Sequence, residues 1–159
     1  MGINNNIRAI VLEDIPALKS VIEANDLFPS DMLDDMISDY LNNQDSKDLW
    51  LTYEADKPIA IAYCAPERMT EGTWNLYLIV VHPKYQRKGV GALMLHYVEQ
   101  ILATDGERLL LIETSSLKSF EGTQKFYRQC GYKQEALIRE FYQAGEDKIV
   151  FRKLLIDAK

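Results

Sequence analysis

Cysteine and histidine are both scarce in this sequence, which contains two of each among its 159 residues. Cys64 and Cys130 belong to no CxxC or Cys/His cluster, and His82 and His96 show no metal-ligand spacing. Neither histidine has the serine or cysteine context of a catalytic triad. We therefore expect no metal site, and we interpret the two cysteines as free thiols in a reducing compartment.

A long apolar run is also missing. The longest one, Leu76–Val81, is far shorter than the roughly 20 residues that a membrane-spanning helix needs. The first ten residues, MGINNNIRAI, contain no apolar stretch of the kind that forms a signal peptide. We therefore expect a soluble cytoplasmic protein without a membrane partner.

Basic residues are outnumbered by acidic ones, 18 against 24, which gives a formal net charge of -6. Nucleic acid is disfavoured as a partner, because binding phosphate backbones needs a basic footprint. Hydrophobic residues make up 47% of the sequence, which is enough for a sizeable core. The length and the absence of a visible boundary predict one domain over residues 1–159.

The apolar periodicity predicts seven strands and four helices. The strands are expected near 7–11, 49–54, 59–65, 74–81, 108–113, 133–142 and 148–155. The helices are expected near 12–25, 30–41, 90–102 and 120–130. The resulting order, βααβββαβαββ, predicts an α/β domain with one mixed central sheet of about seven strands flanked by about four helices.

Several local features of these elements can be predicted as well. Asp14 and Ser30 are plausible N-caps of the first two helices. The continuous apolar run RLLLIE, at 108–113, predicts a strand buried on both faces, and the unit from 74 to 113 reads as a parallel strand–helix–strand crossover. We expect four large aromatic residues to lie mostly in the core, with one or two lining a cleft: Tyr40, Trp50, Trp74 and Tyr77.

The segment QRKGVG, at 86–91, joins the apolar strand LYLIVV to a strongly patterned helix. A glycine loop at a helix N-terminus presents backbone N–H groups and a partial positive charge, which is an arrangement that binds phosphates. The segment is not a P-loop, and Met94 stands where the dinucleotide fingerprint GxGxxG needs its third glycine. Glycine spacing alone leaves phosphate binding and a tight structural turn equally plausible.

A fuller pattern carries a family resemblance. Gln86-x-x-Gly89-x-Gly91 follows an apolar strand, and FYRQCGY lies downstream at 126–132. Together these segments resemble the GNAT superfamily of N-acetyltransferases, and the resemblance covers nearly the whole chain. The segments ETSS and REFYQAGEDKIVFRKLL further resemble a bacterial branch with unassigned substrates. The resemblance implies the GNAT-type fold, with acetyl-CoA as co-substrate and no metal.

The resemblance also implies roles for individual residues. The backbone of Ile79, Val80 and Val81 would bind the pantetheine arm of coenzyme A. The pyrophosphate would be held by the loop that contains Gln86, Arg87, Lys88, Gly89, Val90, Gly91 and Ala92. Tyr127 matches the tyrosine that assists the departing thiolate, and Glu113 matches a glutamate base of some members. Phe120 departs from the pattern, because those members often have asparagine there.

The implied reaction is direct attack of a primary amine on the thioester, through a tetrahedral intermediate. A lysine-like amine is neutral at pH 7 in roughly one molecule of a few thousand, so a base would offset about 4 to 5 kcal/mol. Glu113 is the first candidate base and Glu71 the second. Full proton transfer from the Tyr127 phenol to a thiolate would be uphill by roughly 2 kcal/mol, so a hydrogen bond is the better description of its role.

Two functions remain open from the sequence. The first is an acetyltransferase acting on a small-molecule amine, a peptide N-terminus or a lysine. The second is a non-catalytic acyl-CoA-binding module or sensor, against which the retention of Tyr127 and a candidate base argues. The last strands could also pair two chains into a homodimer.

Overall fold

A computed structural model of the chain describes residues 6–155. Its strands are β1 Ile7–Ala9, β2 Leu49–Glu54, β3 Pro58–Pro66, β4 Thr73–Val81, β5 Leu109–Ser115, β6 Lys133–Gln143 and β7 Glu146–Leu154. Its α-helices are α1 Ile15–Asn25, α2 Met32–Asn42, α3 Val90–Thr104 and α4 Glu121–Gln129. The order βααβββαβαββ is therefore confirmed.

The seven strands form one mixed sheet in the order β1-β2-β3-β4-β5-β7-β6. β4 and β5 run parallel, with Leu76 opposite Ile112, as the crossover prediction required. β5 pairs antiparallel with β7, and β7 pairs antiparallel with β6 across a two-residue turn, Ala144–Gly145. These pairings confirm the predicted mixed α/β fold. None of the helices within residues 6–155 combines the length and the apolar character that crossing a bilayer would require.

The chain divides into two compact units, and β4 and α3 each contribute residues to both. The first unit comprises the described residues up to Ala65 together with Leu78–Gln100. Its core forms where the apolar faces of α1 and α2 meet β2 and β3, and it contains Ile10, Ile15, Leu18, Val21, Ile22, Leu33, Ile37, Trp50, Ile61 and Val80. The 3.6-residue spacing of the helical members explains why this face is continuous.

Asp14 stands at the predicted N-cap position of α1, but its side chain makes no capping hydrogen bond, and the prediction of Ser30 as a cap is wrong. The Asp14 carboxylate accepts hydrogen bonds from the Arg8 guanidinium and from the Val11 N–H, so it anchors a 3₁₀ turn before α1 instead of capping that helix. The Ser30 hydroxyl donates to Glu23, and α2 begins after Asp31 without a side-chain cap. In both places a charged partner distant from the cap position competes with the local cap.

The second unit comprises Pro66–Tyr77 and the described residues from Ile101 onwards. In β5, buried and half-buried residues alternate, so the prediction of a strand buried on both faces is wrong. Tyr127 of α4 packs at 5.8 Å from Phe151 of β7, ring centre to ring centre, and thereby attaches α4 to the sheet. Trp74 is buried as predicted, whereas Tyr77 is 50% exposed and does not belong to the core.

Candidate active site

The loop of residues 86–91, called here the glycine loop, has an unusual backbone. Arg87 has a φ of 63° and Gly89 has a φ of 85°, so two positions adopt the left-handed conformation. Alternating left-handed positions turn successive N–H groups toward one side, which forms an anion-binding concavity. A Cβ built on Gly89 would have nothing within 4 Å, so the space beside the loop is open. The loop therefore fits a phosphate group.

The glycine loop leads directly into α3. The N–H of Leu93 donates to the carbonyl of Gly89 at 3.0 Å, which is the first hydrogen bond of the helix. By the geometry of any α-helix, the N–H groups of Val90, Gly91 and Ala92 have no partner within α3. These donors and the positive end of the helix dipole favour an anion at this position. Arg87 and Lys88 are exposed at the same place and add two full positive charges.

Gln86 ties the glycine loop to the end of β4. Its Nε2 donates to the carbonyl of Val81 at 2.8 Å and to Oδ1 of Asn25 at 3.0 Å. Asn25 in turn donates to the same Val81 carbonyl at 3.1 Å. The side chain of Gln86 thus fixes the loop to the rest of the protein. β4 ends with the three residues that the sequence predicts to bind pantetheine, Ile79, Val80 and Val81.

Glu113 lies in the second unit, near the end of β5, within a network of polar side chains. Its Oε1 is 3.1 Å from Nζ of Lys148 on β7, where the strand register places Val150 opposite Glu113. Its Oε2 accepts a hydrogen bond of 2.9 Å from Nδ2 of Asn75. Glu113 is therefore an ion-paired and oriented carboxylate, as well as the first candidate base.

Asn75 connects Glu113 to a second carboxylate that sequence analysis missed. Its Nδ2 also donates to Oε2 of Glu67 at 2.8 Å, and the Tyr77 hydroxyl donates to that same oxygen at 3.2 Å. Asn75 is fully buried, and its Oδ1 has no hydrogen-bond partner among the described residues. The amide orientation follows from the chemistry, because two carboxylates require the N–H₂ group between them.

One sequence signal could have found Asn75. It is the single amide side chain in the apolar strand WNLYLIVV, and a buried amide needs polar partners. Glu67 has no comparable signal, since it lies among charged and polar residues in the loop after β3. Its partner Asn75 is eight residues away, and Glu113 lies a further 38 residues along the chain. Only the pairing of β4 with β5 reveals their proximity.

Tyr127 is buried in the second unit, with 5% of its surface exposed. Its ring contacts those of Phe126, Tyr132 and Phe151 at centroid distances of 5.4, 6.3 and 5.8 Å. Burial raises the pKa of the Tyr127 phenol above its ordinary value, and the Cys130 thiol adds a smaller effect in the same direction. Tyr127 is therefore protonated throughout the neutral pH range, and it can act as a hydrogen-bond donor.

Glu71, the second candidate base, is exposed, and its backbone carbonyl accepts a 2.7 Å hydrogen bond from the Arg108 side chain.

A cavity of 610 Å³ lies in the first unit, between the start of α1 and the C-terminal part of α2. Its lining contains Tyr40 but none of the residues expected to bind coenzyme A or to act in catalysis. Among residues 6–155, no three His, Cys, Asp or Glu side chains come together in a metal-holding group.

The glycine loop can be compared with known protein families. A family model described as "Acetyltransferase (GNAT) domain" matches residues 45–134, which is more than half of the chain. This range contains β4, the glycine loop, α3 and β5. The chain belongs to the GNAT superfamily. This GNAT protein is an acetyl-CoA-dependent N-acetyltransferase, and the resemblance noted in its sequence is confirmed.

Individual relatives cover almost the whole chain. A [ribosomal protein bS18]-alanine N-acetyltransferase from Salmonella typhimurium is 26% identical, over 92% of this chain and 95% of its own. A crystal structure described as a GNAT-family acetyltransferase from Desulfovibrio desulfuricans is 30% identical with a TM-score of 0.86, covering 94% of this chain and 98% of that one. An aminoglycoside 6'-N-acetyltransferase complexed with coenzyme A has a TM-score of 0.69 at 15% identity, covering 96% and 98%. That last likeness concerns the fold.

Proposed function

We propose that this GNAT protein transfers the acetyl group of acetyl-CoA to a primary amine by direct attack, through a tetrahedral intermediate. Acetyl transfer to amines in general belongs to the family. The observation that carries the proposal for this chain is the glycine loop. Its left-handed residues Arg87 and Gly89 and the start of α3 form a phosphate-binding geometry, and Arg87 and Lys88 within the loop are exposed cations.

In this proposal the pyrophosphate of acetyl-CoA is bound by the N–H groups and side chains of the glycine loop, together with Ala92. The pantetheine arm pairs with the backbone of Ile79–Val81, and Gln86 fixes the relative positions of loop and strand through the Val81 carbonyl. An acyl thioester bound at the end of β4 would need a donor for its carbonyl oxygen. Pro83 has no N–H, so that donor must precede it in the chain.

The acceptor that we propose is the N-terminal amine of a peptide or protein. An α-amino group has a pKa of roughly 7.7 to 8.0, compared with about 10.4 for lysine, so it needs much less help from a base at pH 7. Such an acceptor suits a site whose first candidate base, Glu113, already pairs with Lys148. The Salmonella relative, a ribosomal-protein-alanine N-acetyltransferase, supports the same substrate class.

We propose that Tyr127 donates a hydrogen bond to the departing thiolate, and that Glu113 accepts the amine proton directly or through water. Burial raises the pKa of Tyr127, so complete proton transfer from this phenol is more costly than from an exposed tyrosine. A hydrogen bond that stabilises developing charge on sulfur therefore describes its role. The proton that leaves the amine then reaches the thiolate through solvent.

A thiol-release assay with three acceptors tests the proposed function. The first acceptor is a lysine-free peptide with an unblocked N-terminus. The second is an N-acetylated peptide that contains lysine, and the third is an aminoglycoside. We expect the first to give the highest kcat/KM. Preference for the lysine peptide or the aminoglycoside would overturn the proposed acceptor class and leave acetyl transfer intact.

The second candidate function is a non-catalytic acyl-CoA-binding module or sensor. The ion pair between Lys148 and Glu113 favours it, because the pair gives Glu113 a structural role that requires no catalysis. Calorimetry of acetyl-CoA binding, run beside the acceptor panel, separates the two functions. Tight acetyl-CoA binding without turnover of any acceptor would establish the module.

We further propose that β6 pairs two chains into a homodimer. β6 is the last strand in the sheet order, and all of its residues are exposed, including the large apolar residues Leu137, Ile138, Phe141 and Tyr142. Antiparallel pairing centred on Leu137 would place Glu135 of each chain opposite Arg139 of the other. Light scattering should show a dimer for the native chain and a monomer for Arg139→Glu. The exchanged pair Glu135→Arg/Arg139→Glu should restore the dimer, and a monomeric native chain would contradict the proposal.

A further inference from the structure

The carboxylate of Glu67, at the start of the loop after β3, differs from that of Glu113 in its partners. Both of the hydrogen bonds that it receives end at Oε2, and both come from neutral groups, the Asn75 amide and the Tyr77 hydroxyl. Within residues 6–155, no ion pair involves Glu67, whereas Glu113 pairs with Lys148. The uncompensated negative charge of this network is therefore located on Glu67.

The two carboxylates are close enough to act on one ligand. Oε2 of Glu67 and Oε2 of Glu113 lie 2.8 and 2.9 Å from the same nitrogen, so their separation is at most about 5.7 Å. Asn75 is completely buried, and its Oδ1 is unpartnered among the described residues. A buried polar atom without a partner is unfavourable, so we infer that this amide is kept because it fixes the spacing of the two carboxylates. The arrangement keeps Oε2 of Glu67 directed at the amide, and Oε1 is left for another donor.

The surroundings of Glu67 are open to solvent and suited to a cation. Glu67 itself is half-buried, and Tyr77, whose hydroxyl bonds its carboxylate, is 50% exposed. A carboxylate next to an exposed aromatic ring attracts an ammonium through both charge and the ring face. Lys148 illustrates this preference within the same network, because its ammonium lies between the Glu113 carboxylate and the ring of Phe141, 3.8 Å from the ring centre.

We propose that Glu67 is a specificity-determining residue that binds the ammonium form of the acceptor amine. The inference rests on the proposed function, since it assigns a subsite to that reaction's acceptor. Glu67 supplies the charge, Tyr77 and Asn75 orient its carboxylate, and Lys148 neutralises Glu113 so that the network presents a single net negative charge. The site accordingly selects an acceptor with one ammonium group and disfavours anionic amines.

A binding experiment tests the inference without requiring turnover. The probe is L-alaninamide, a minimal peptide N-terminus, titrated into ¹⁵N-labelled full-length protein at pH 6.5, where its amine is protonated. The side-chain amide signals of Asn75 report the site, because that amide donates to Glu67 directly. N-acetyl-L-alaninamide, which has the same shape without the ammonium, is the matched control ligand. We expect a saturable shift with L-alaninamide in the millimolar range and none with the control.

Two charge-neutralising variants complete the experiment. Glu67→Gln should weaken L-alaninamide binding at least tenfold. Glu107→Gln removes the same charge from another half-buried position of the second unit, just before β5, and it should change binding less than twofold. If Glu67→Gln unfolds at a lower temperature than Glu107→Gln, Glu67→Asp replaces it. The aspartate should weaken binding severalfold, because its shorter side chain holds the carboxylate one methylene farther back.

Three outcomes would overturn the inference: no saturable shift with L-alaninamide, an equal shift with the acetylated control, or equal binding by the Glu67 and Glu107 variants. These outcomes are separate from failure of the proposed function. Turnover of amines with unchanged binding in Glu67→Gln would contradict only the subsite. Loss of L-alaninamide binding in Glu67→Gln, without turnover of any amine by the native protein, would support the subsite and contradict acetyl transfer.

Discussion

The ammonium of Lys148 lies 3.1 Å from Oε1 of Glu113, and both side chains are largely removed from solvent. Since β5 and β7 are neighbouring antiparallel strands, this ion pair connects two strands of the second unit. Glu113 also accepts the Asn75 hydrogen bond, so its carboxylate is held at both oxygens. A carboxylate held in this way can belong to a structural ion pair as well as act as a base. The effect of the ion pair on stability can be measured apart from enzymatic activity.

Lys148→Met should lower the free energy of unfolding by about 1 to 3 kcal/mol, because it leaves the Glu113 carboxylate in a low-dielectric position without its cation. Urea unfolding monitored by tryptophan fluorescence measures the change. Adding Glu113→Gln to this variant should recover part of the loss, since the double variant has no uncompensated charge there. A loss below about 0.5 kcal/mol for the single variant would show that solvent replaces the lysine.

Tyr127→Phe should lower kcat at least tenfold and leave the acetyl-CoA dissociation constant within about twofold, because it removes only the hydrogen bond that we propose between the phenol and the sulfur. Tyr132→Phe is the matched control, since Tyr132 is a buried tyrosine whose ring lies 6.3 Å from that of Tyr127. Steady-state kinetics and calorimetry of both variants make the comparison. Equal kcat values for the two would remove Tyr127 from the mechanism.

The order of elements and the glycine loop could be predicted because they depend on local signals. Apolar periodicity defines β4 and α3, and the glycine pattern marks the loop that joins them. The same local signals overestimate the burial of β5. A run of apolar letters does not show which face is only half covered, and half-buried residues such as Leu109 and Leu111 carry no sequence mark of this.

The caps and the acidic network could not be predicted because side-chain partners outside the local helix signals decide them. Asp14 has the composition of a cap, but the Arg8 guanidinium offers it two charge-assisted hydrogen bonds and overrides the local choice. Glu67 and Glu113 are far apart in sequence. The Glu67 N–H bonds the Thr73 carbonyl across the loop after β3, and the pairing of β4 with β5 brings Glu113 to Asn75. The residues of this network that sequence analysis missed depend on such contacts, which apolar periodicity does not show.

The stability of the first unit should depend on pH through Asp14. Hydrogen bonds from Arg8, opposed by burial, hold the pKa of Asp14 below its ordinary value near 3.8. The unfolded chain therefore takes up a proton at higher pH than the folded chain does. The stabilising contribution is fully present above about pH 4. It is lost as the pH falls through the lowered pKa of the folded state.

Urea unfolding of the native chain and of Asp14→Asn between pH 7 and pH 2.5 checks this expectation. The variant should be less stable at pH 7, because its amide cannot replace the two bonds from the Arg8 guanidinium. The difference between the two proteins should shrink as the pH falls below 4. A difference that is constant over this range would contradict the coupling of Asp14 ionisation to folding.

Gly89→Ala should weaken acetyl-CoA binding at least tenfold, and Gly106→Ala provides a closely matched control. The two glycines have φ values of 85° and 83°, and a Cβ at either position would have nothing within 4 Å. Both alanine variants should therefore lose a similar amount of folding free energy, roughly 1 to 2 kcal/mol, from left-handed backbone strain. Gly106 follows α3 at its other end, away from the positive end of the helix dipole.

Because backbone strain and free space are matched at the two positions, a difference in acetyl-CoA affinity between these variants reflects contact with the ligand and not backbone strain. Calorimetry should show binding lost or weakened for Gly89→Ala and retained within twofold for Gly106→Ala. Gly91→Val should also abolish binding, since its side chain would lie at the first turn of α3, where the N–H groups are expected to bind the pyrophosphate. Intact acetyl-CoA binding in Gly89→Ala and Gly91→Val would mean that the glycine loop does not hold coenzyme A.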